Sequence, residues 1–222
     1  MTASADRPLY LKQLEVGLMQ NFVYLIGDPA THEALIVDPG WEVDRILRAL
    51  EQDGYRPTQL LLSHSHLDHI NGVEDVLERF DVPVYAQKEE LEHLPSSWRK
   101  KVTGLAAGDR LTVGQLPVTV LHTPGHTPGS QCVLIDDKLV TGDTLFVGSC
   151  GRTDLPGGSP RQLHESLTKT FGQLDDQTLV YPGHNYGAHP TSTLGAERRD
   201  NPFLQCARVE DFLRMVTPTG WR

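Results

Sequence analysis

Residues 63–69 read Ser-His-Ser-His-Leu-Asp-His, three imidazoles and a carboxylate within one short loop. Burying such groups without partners costs several kcal/mol each, so they are poor material for an ordinary core. An H-x-H-x-D-H pattern arises by chance on the order of once in a thousand chains of this composition. Metal ligation is the chemistry that suits it. Three later stretches share one grammar, a strand followed by a Gly- or Pro-containing loop with a ligand-type residue. They are "HTPGHTPGS" (122–130) with His126, "VTGDTLF" (140–146) with Asp143 and "VYPGH" (180–184) with His184. The full set is His64, His66, Asp68, His69, His126, Asp143 and His184. So many nitrogen and oxygen donors exceed one tetrahedral zinc site and fit two adjacent divalent ions that share a carboxylate and water. Without thiolate, the donors suit Zn, Fe or Mn alike. His32, His93, His122, His164 and His189 lack such company and are read as structural.

The elements that must position these residues are legible from periodicity. Segments 9–16, 21–28 and 33–38 are short, rich in Val, Ile, Leu and Tyr, and separated by turn signals such as Asp28-Pro29, which predicts a meander of strands. Val43, Ile46, Leu47 and Leu50 recur at helical spacing over 42–53. "TQLLLS" (58–63) is a continuous apolar run, as in a strand buried on both faces, and the histidine loop leaves its carboxyl end. A second helix is predicted over 70–80 and a strand over 82–86. Two strands joined at Gly114 follow within 108–122, then a hairpin across Asp136-Asp137. Ser159-Pro160 opens a helix over 160–172, residues 178–183 form the last strand, and one or two short helices lie within 192–216. The periodicity supports an α/β chain with two sheet-rich halves, in one domain over 1–222 with a short helical tail at 187–222.

Composition sets outer bounds. With 38% hydrophobic and 22% charged residues the chain is of ordinary globular composition. Its net charge of −9 argues against nucleic-acid and anionic-membrane partners, which want a basic face. Cys132, Cys150 and Cys206 are scattered and odd in number, which fits a reducing cytoplasm better than a disulfide framework. The N-terminus has no apolar run of signal-peptide length. The expectation is a cytoplasmic protein.

"SHSHLDH" followed in order by "PGH", "GD" and "GH" resembles the metallo-β-lactamase superfamily, over nearly the whole chain up to His184. The resemblance implies a four-layer α/β/β/α sandwich of two mixed β-sheets with helices on the outer faces. It also implies a first metal site of His64, His66 and His126, a second of Asp68, His69 and His184, and a bridging Asp143. Ser63 stands where a threonine is more usual. "DPG" (38–40), "GSCGRTDLPGGS" (148–159) and "PGHNYGAHPTSTLGAERRDNP" (182–202) are similar to the glyoxalase II-like branch, which hydrolyses glutathione thioesters. By that likeness Arg152 and Tyr186 lie near the substrate's glutathione moiety. Arg152 is equally suited to an ion pair with Asp154, and Gly157-Gly158 to a turn. Cys150 is read as a small buried residue, and Arg198 and Arg199 as a solvated or ion-paired helix face.

The implied chemistry is metal-assisted hydrolysis of a small-molecule substrate. Two divalent ions acidify a shared water and polarise a carbonyl, with Asp68 and Asp143 as the catalytic carboxylates. A lactonase would use the same mechanism. The stretch after His184 is too short for the C-terminal helical domain of full-length glyoxalase II enzymes, and its helices suit a homodimer interface as readily as a substrate mouth. The rival from another class is a persulfide dioxygenase, which holds a single Fe(II) through residues matching His64, His126 and Asp143. That branch keeps the second-site ligands unused, so the ligand set alone does not separate the two. It shares "CGRTD" and a tyrosine after the last histidine, but resembles "HADH" and "DPV" where this chain has "HLDH" and "DPG", and lacks "LPGG".

Overall fold

In the computed structural model, which describes residues 8–216, each half of the chain builds one six-stranded sheet. Strands β1 (Tyr10–Val16), β2 (Asn21–Asp28) and β3 (Glu33–Val37) form an antiparallel meander. Helix α1 (Val43–Gln52) then crosses over so that β4 (Arg56–Leu61) lies parallel to β3. Two short helices, α2 (Leu67–Ile70) and α3 (Val73–Leu77), lead to the parallel strands β5 (Val84–Gln87) and β6 (Val102–Leu105). In the second half, β7 (Arg110–Val113), β8 (Leu116–His122), β9 (Gln131–Ile135) and β10 (Lys138–Gly142) form another meander. A small hairpin of β11 (Leu145–Phe146) and β12 (Ser149–Cys150) precedes α4 (Pro160–Glu165). Strand β13 (Leu179–Pro182) returns parallel to β10, with β14 (Ser192–Thr193) at its edge and α5 (Leu194–Asp200) and α6 (Val209–Val216) following. Both sheets are therefore mixed.

Alternation along the strands produces the layers. In β2, Val23 and Leu25 join Ile46 and Leu50 of α1 on one face. Phe22, Tyr24 and Ile26 face the other way and pack with Val118, Val133 and Ile135 of the second sheet. In β9, Cys132 turns outward to meet Leu163, Phe171 and Phe212 beneath the C-terminal helices. Three apolar clusters thus separate helices, sheet, sheet and helices, which is the expected α/β/β/α sandwich. Ser159 caps α4 by accepting from the Gln162 backbone N–H, with Pro160 in the first turn as predicted.

Local expectations fail where tertiary contacts override pattern. The helix predicted over 70–80 is broken between α2 and α3. The Gly72 N–H donates to the Pro39 carbonyl at 2.9 Å, and a Cβ on Gly72 would sit 2.4 Å from that oxygen. One continuous helix would lift the chain off the 38–40 turn. Strands β6, β11, β12 and β14 escape the periodicity because they are short and lie at edges or in a small hairpin. The tail carries α5 and α6 as expected; its residues 217–222 lie outside the described residues. No helix among the described residues is long and apolar enough to cross a membrane.

Candidate metal centre

All of the ligand-type residues leave the carboxyl ends of strands, where α/β folds place their sites. His64 follows β4, His66 stands just before the first residue of α2, and Asp68 and His69 ride in its single turn. His126 lies between β8 and β9, Asp143 directly after β10, and His184 two residues past β13. The fold brings all seven together.

They form two triads. His66 Nδ1 lies 3.1 Å from His64 Nε2 and 2.9 Å from His126 Nε2. His69 Nε2 lies 3.1 Å from His184 Nε2, and Asp68 Oδ2 is 3.4 Å from each of those nitrogens. Asp143 reaches both groups, with Oδ2 3.6 Å from His126 Nε2 and 3.3 Å from His184 Nε2, and Oδ1 3.4 Å from His69 Nε2. Ligands on a tetrahedral ion with Zn–N near 2.0–2.1 Å stand about 3.3 Å apart, so the spacing suits a cation.

Proton placement supports the same reading. His64 Nδ1 is 3.0 Å from Ser63 Oγ, whose own proton goes to Asp38 Oδ2. His69 Nδ1 is 2.9 Å from Asp38 Oδ2, His126 Nδ1 2.7 Å from the Arg152 carbonyl, and His184 Nδ1 2.9 Å from the Met19 carbonyl. With each Nδ1–H donating outward, Nε2 is the nitrogen of all four rings that faces the centre and would ligate. Asp143 Oδ1 is buried and accepts no hydrogen bond, a costly arrangement that a cation relieves. Asp38, His64 and His69 also meet as a third cluster. Asp38 there braces the outward side of the imidazoles and does not face the shared centre.

Burial, reinforced by the neighbouring imidazoles, pushes His64 well below the usual histidine range and lowers His66 too. For His69, burial pulls downward, but Asp143, Asp38 and Asp68 together overcome it and raise the group to about 9. Burial would raise Asp143, yet His69, His184 and His64 hold it well below the ordinary carboxylate range.

Two supporting features explain motifs that carry no ligand. A Cβ on Gly40 of the "DPG" turn would lie 1.7 Å from the Asp68 carbonyl oxygen, and one on Gly151 of "CGR" 1.8 Å from that of Asp143. Only glycine lets these turns press against the ligand backbone. Asn21 was not singled out by the sequence. Its Nδ2 donates to Asp68 Oδ2 at 2.8 Å and to the Asp68 carbonyl at 3.2 Å. A polar residue opening a strand whose eight positions are all buried is the signal that could have found it.

Over the ligands lies a cavity of about 420 Å³, lined by Met19, Phe146, Cys150, Arg152, Leu155 and Tyr186 among others. Tyr186 stacks on His184 at 4.5 Å and 10°, and burial with Asp143 and Asp68 nearby raises its phenol. Arg152 forks onto Asp154 at 2.7 and 2.8 Å, the ion pair that its sequence allowed. Burial drives the Cys150 thiol up to about 12, which leaves it inert. A larger depression of about 570 Å³ beside α1, lined by Leu47, Arg48, Tyr55 and Phe80, holds no convergent ligand set. His32, His122 and His164 bond to backbone carbonyls, and Arg198 pairs with Asp176 and the Phe171 and Leu174 carbonyls, all structural as read.

Comparison with known proteins adds three likenesses to a family match. The model of the metallo-beta-lactamase superfamily matches residues 16–184. The probable polyketide biosynthesis zinc-dependent hydrolase PksB of Bacillus subtilis is 30% identical over 197 residues, covering 89% of this chain and 87% of PksB. The crystal structure of ETHE1 from Myxococcus xanthus superposes with a TM-score of 0.85 at 35% identity, covering 95% of this chain and 92% of that one. A di-iron-bound form of TTHA1623 gives a TM-score of 0.75 at 34% identity, covering 87% of this chain and 100% of that one.

Proposed function

The chain belongs to the metallo-beta-lactamase superfamily, and from that premise we propose that it is a dinuclear metal-dependent hydrolase of thioesters. The observation that carries the dinuclear part of this reading is the second triad. Asp68, His69 and His184 are as complete as His64, His66 and His126, and Asp143 reaches both. We assign the two triads as ligands of one divalent ion each, Zn, Fe or Mn, with Asp143 between them. The di-iron-bound form of TTHA1623 supports a pair of ions, and PksB, named as a probable zinc-dependent hydrolase, supports metal-dependent hydrolysis.

When bound, the ions acidify a water so that hydroxide is available near neutral pH and polarise the target carbonyl. The residues of the chain do the remaining work. The outward hydrogen bonds of His64, His69, His126 and His184 fix each ring in its ligating tautomer. Asp68 is only partly buried, and Asn21 holds its Oδ2, so its carboxylate is placed to orient the attacking water and take its proton. Around the cavity, Tyr186 and Cys150 are both raised, so neither gives up a proton readily. A thioester needs no such donor, since its thiolate leaves unaided.

A glutathione conjugate is the substrate we propose, with Tyr186 and Arg152 as its contacts. The Arg152–Asp154 pair is exposed, so turning the guanidinium toward a substrate carboxylate costs little. The likeness to ETHE1 favours a second reading, a persulfide dioxygenase using one Fe(II) at His64, His126 and Asp143. Side-by-side assays under air separate the two. Thiol release from S-lactoylglutathione without oxygen uptake is expected. Oxygen uptake with glutathione persulfide and no thioester cleavage would overturn the hydrolase.

A further inference from the structure

Glu90, in the turn after β5, is fully buried, and no lysine or arginine pairs with it among the described residues. A carboxylate in that setting is costly unless its oxygens are well bonded. Its three partners are all donors, and they belong to two different ligand loops. Oε1 accepts from the Ser65 backbone N–H, between His64 and His66, at 2.8 Å. Oε2 accepts from Thr127 Oγ1 at 3.0 Å and from the Gly129 N–H at 2.7 Å, in the loop that carries His126. The second loop is itself closed: the Thr127 N–H donates to Ser130 Oγ at 3.0 Å, and that hydroxyl lies 2.8 Å from Thr127 Oγ1. A Cβ on Gly129 would sit 2.5 Å from Glu90 Oε2, so the loop meets the carboxylate with no side chain between.

We propose that Glu90 is the positioning residue of the first triad, clamping the His64–His66 loop to the His126 loop and so setting the metal affinity of that triad alone. Nothing in the Asp68–His69–His184 triad touches it. Only a carboxylate meets the requirement, because it offers acceptors at both ends. A Gln must turn its amide against a donor in one loop or the other, and an Asp is one methylene too short to span both. The inference rests on reading the cluster as two metal sites.

The test is Co(II) titration of metal-free protein, followed by its visible absorption, in two single-site backgrounds. In His184→Ala, which disables the second triad, Glu90→Gln is expected to weaken binding by roughly 10–100-fold, the usual effect of an outer partner of a metal ligand. In His66→Ala, which disables the first, Glu90→Gln should leave the remaining affinity unchanged. Equal losses in both backgrounds, or none in either, would overturn the proposal. Thr127→Val removes one of the three donors with little change of shape. It should give a smaller loss with the same selectivity, and it serves if Glu90→Gln does not fold. Glu197→Gln, another buried carboxylate that binds the Gly148 N–H and Asn201 away from the ligands, controls for lost stability and should spare both affinities. A wild-type protein that saturates with one ion would defeat the dinuclear reading, yet the His184→Ala comparison would still report on Glu90.

Discussion

The His64–His66–His126 triad and the Asp68–His69–His184 triad lie side by side and share Asp143, but they are electrostatically unlike. The first is all imidazole. Burial and mutual repulsion keep His64 and His66 neutral, ready to ligate. The second includes a carboxylate and is ringed by two more, so His69 holds its proton up to about 9. One triad is prepared for a cation by desolvation. The other holds a proton in the cation's place and must release it on loading. They are also braced differently, the first by Glu90 and the second by Asn21.

The largest expected effect is that of Asp68→Ala. For a dinuclear hydrolase it removes a ligand and the residue that handles the water's proton, so thioester turnover should fall by more than the roughly 10–100-fold typical of an outer partner. His66→Ala should be as severe. A mild Asp68→Ala beside a severe His64→Ala would make the triads unequal in function, as one iron held by His64, His126 and Asp143 requires. Asn21→Ala should cost roughly 10–100-fold in affinity at the second triad and spare the first, read by Co(II) titration of the single-site variants.

The pH dependence sharpens the contrast further. His69 is protonated below about 9, so each pH unit below that value should weaken the second triad by up to about tenfold, while the first weakens far less. Proton release on loading, measured by calorimetry in buffers of different ionisation enthalpy, checks this. In the metal-free fold the sign is the reverse. A raised His69 contributes stability that is present below its ordinary value, about 6.5, and lost as pH rises through about 9. The smallest effect is that of Arg152→Ala. Its pair with Asp154 is exposed to solvent, so stability should barely change and KM for a glutathione thioester should rise by no more than about tenfold.

How far the sequence revealed these triads follows from where their residues lie. His64, His66, Asp68 and His69 are adjacent and announce themselves. His126, Asp143 and His184 are distant from one another, but each sits in a Gly- or Pro-marked loop after an apolar strand. Of the braces, Asn21 shows only as a polar residue opening an apolar run, and Glu90 carries no local sign. Asn21 acts on Asp68 across 47 positions, and Glu90 reaches Ser65 across 25 and Gly129 across 39. Such contacts exist only once the two sheets are stacked. The layers show the same division. Alternation in β2 and β9 and the 3.6-residue spacing of α1 are local, whereas the four-layer order came from the resemblance. The break at Gly72 depends on Pro39, far off in sequence, and local periodicity has no means of seeing it.

The most direct test of the paired-triad account is the number of ions per chain. The protein would be purified without oxygen or added metal, its metals counted, and the count repeated after saturation with Zn, Mn or Fe. The account predicts close to two ions per chain at saturation, falling to one in Asp68→Ala with the first triad still loaded. A single iron per chain that saturation does not increase would contradict it and leave the dioxygenase reading in its place.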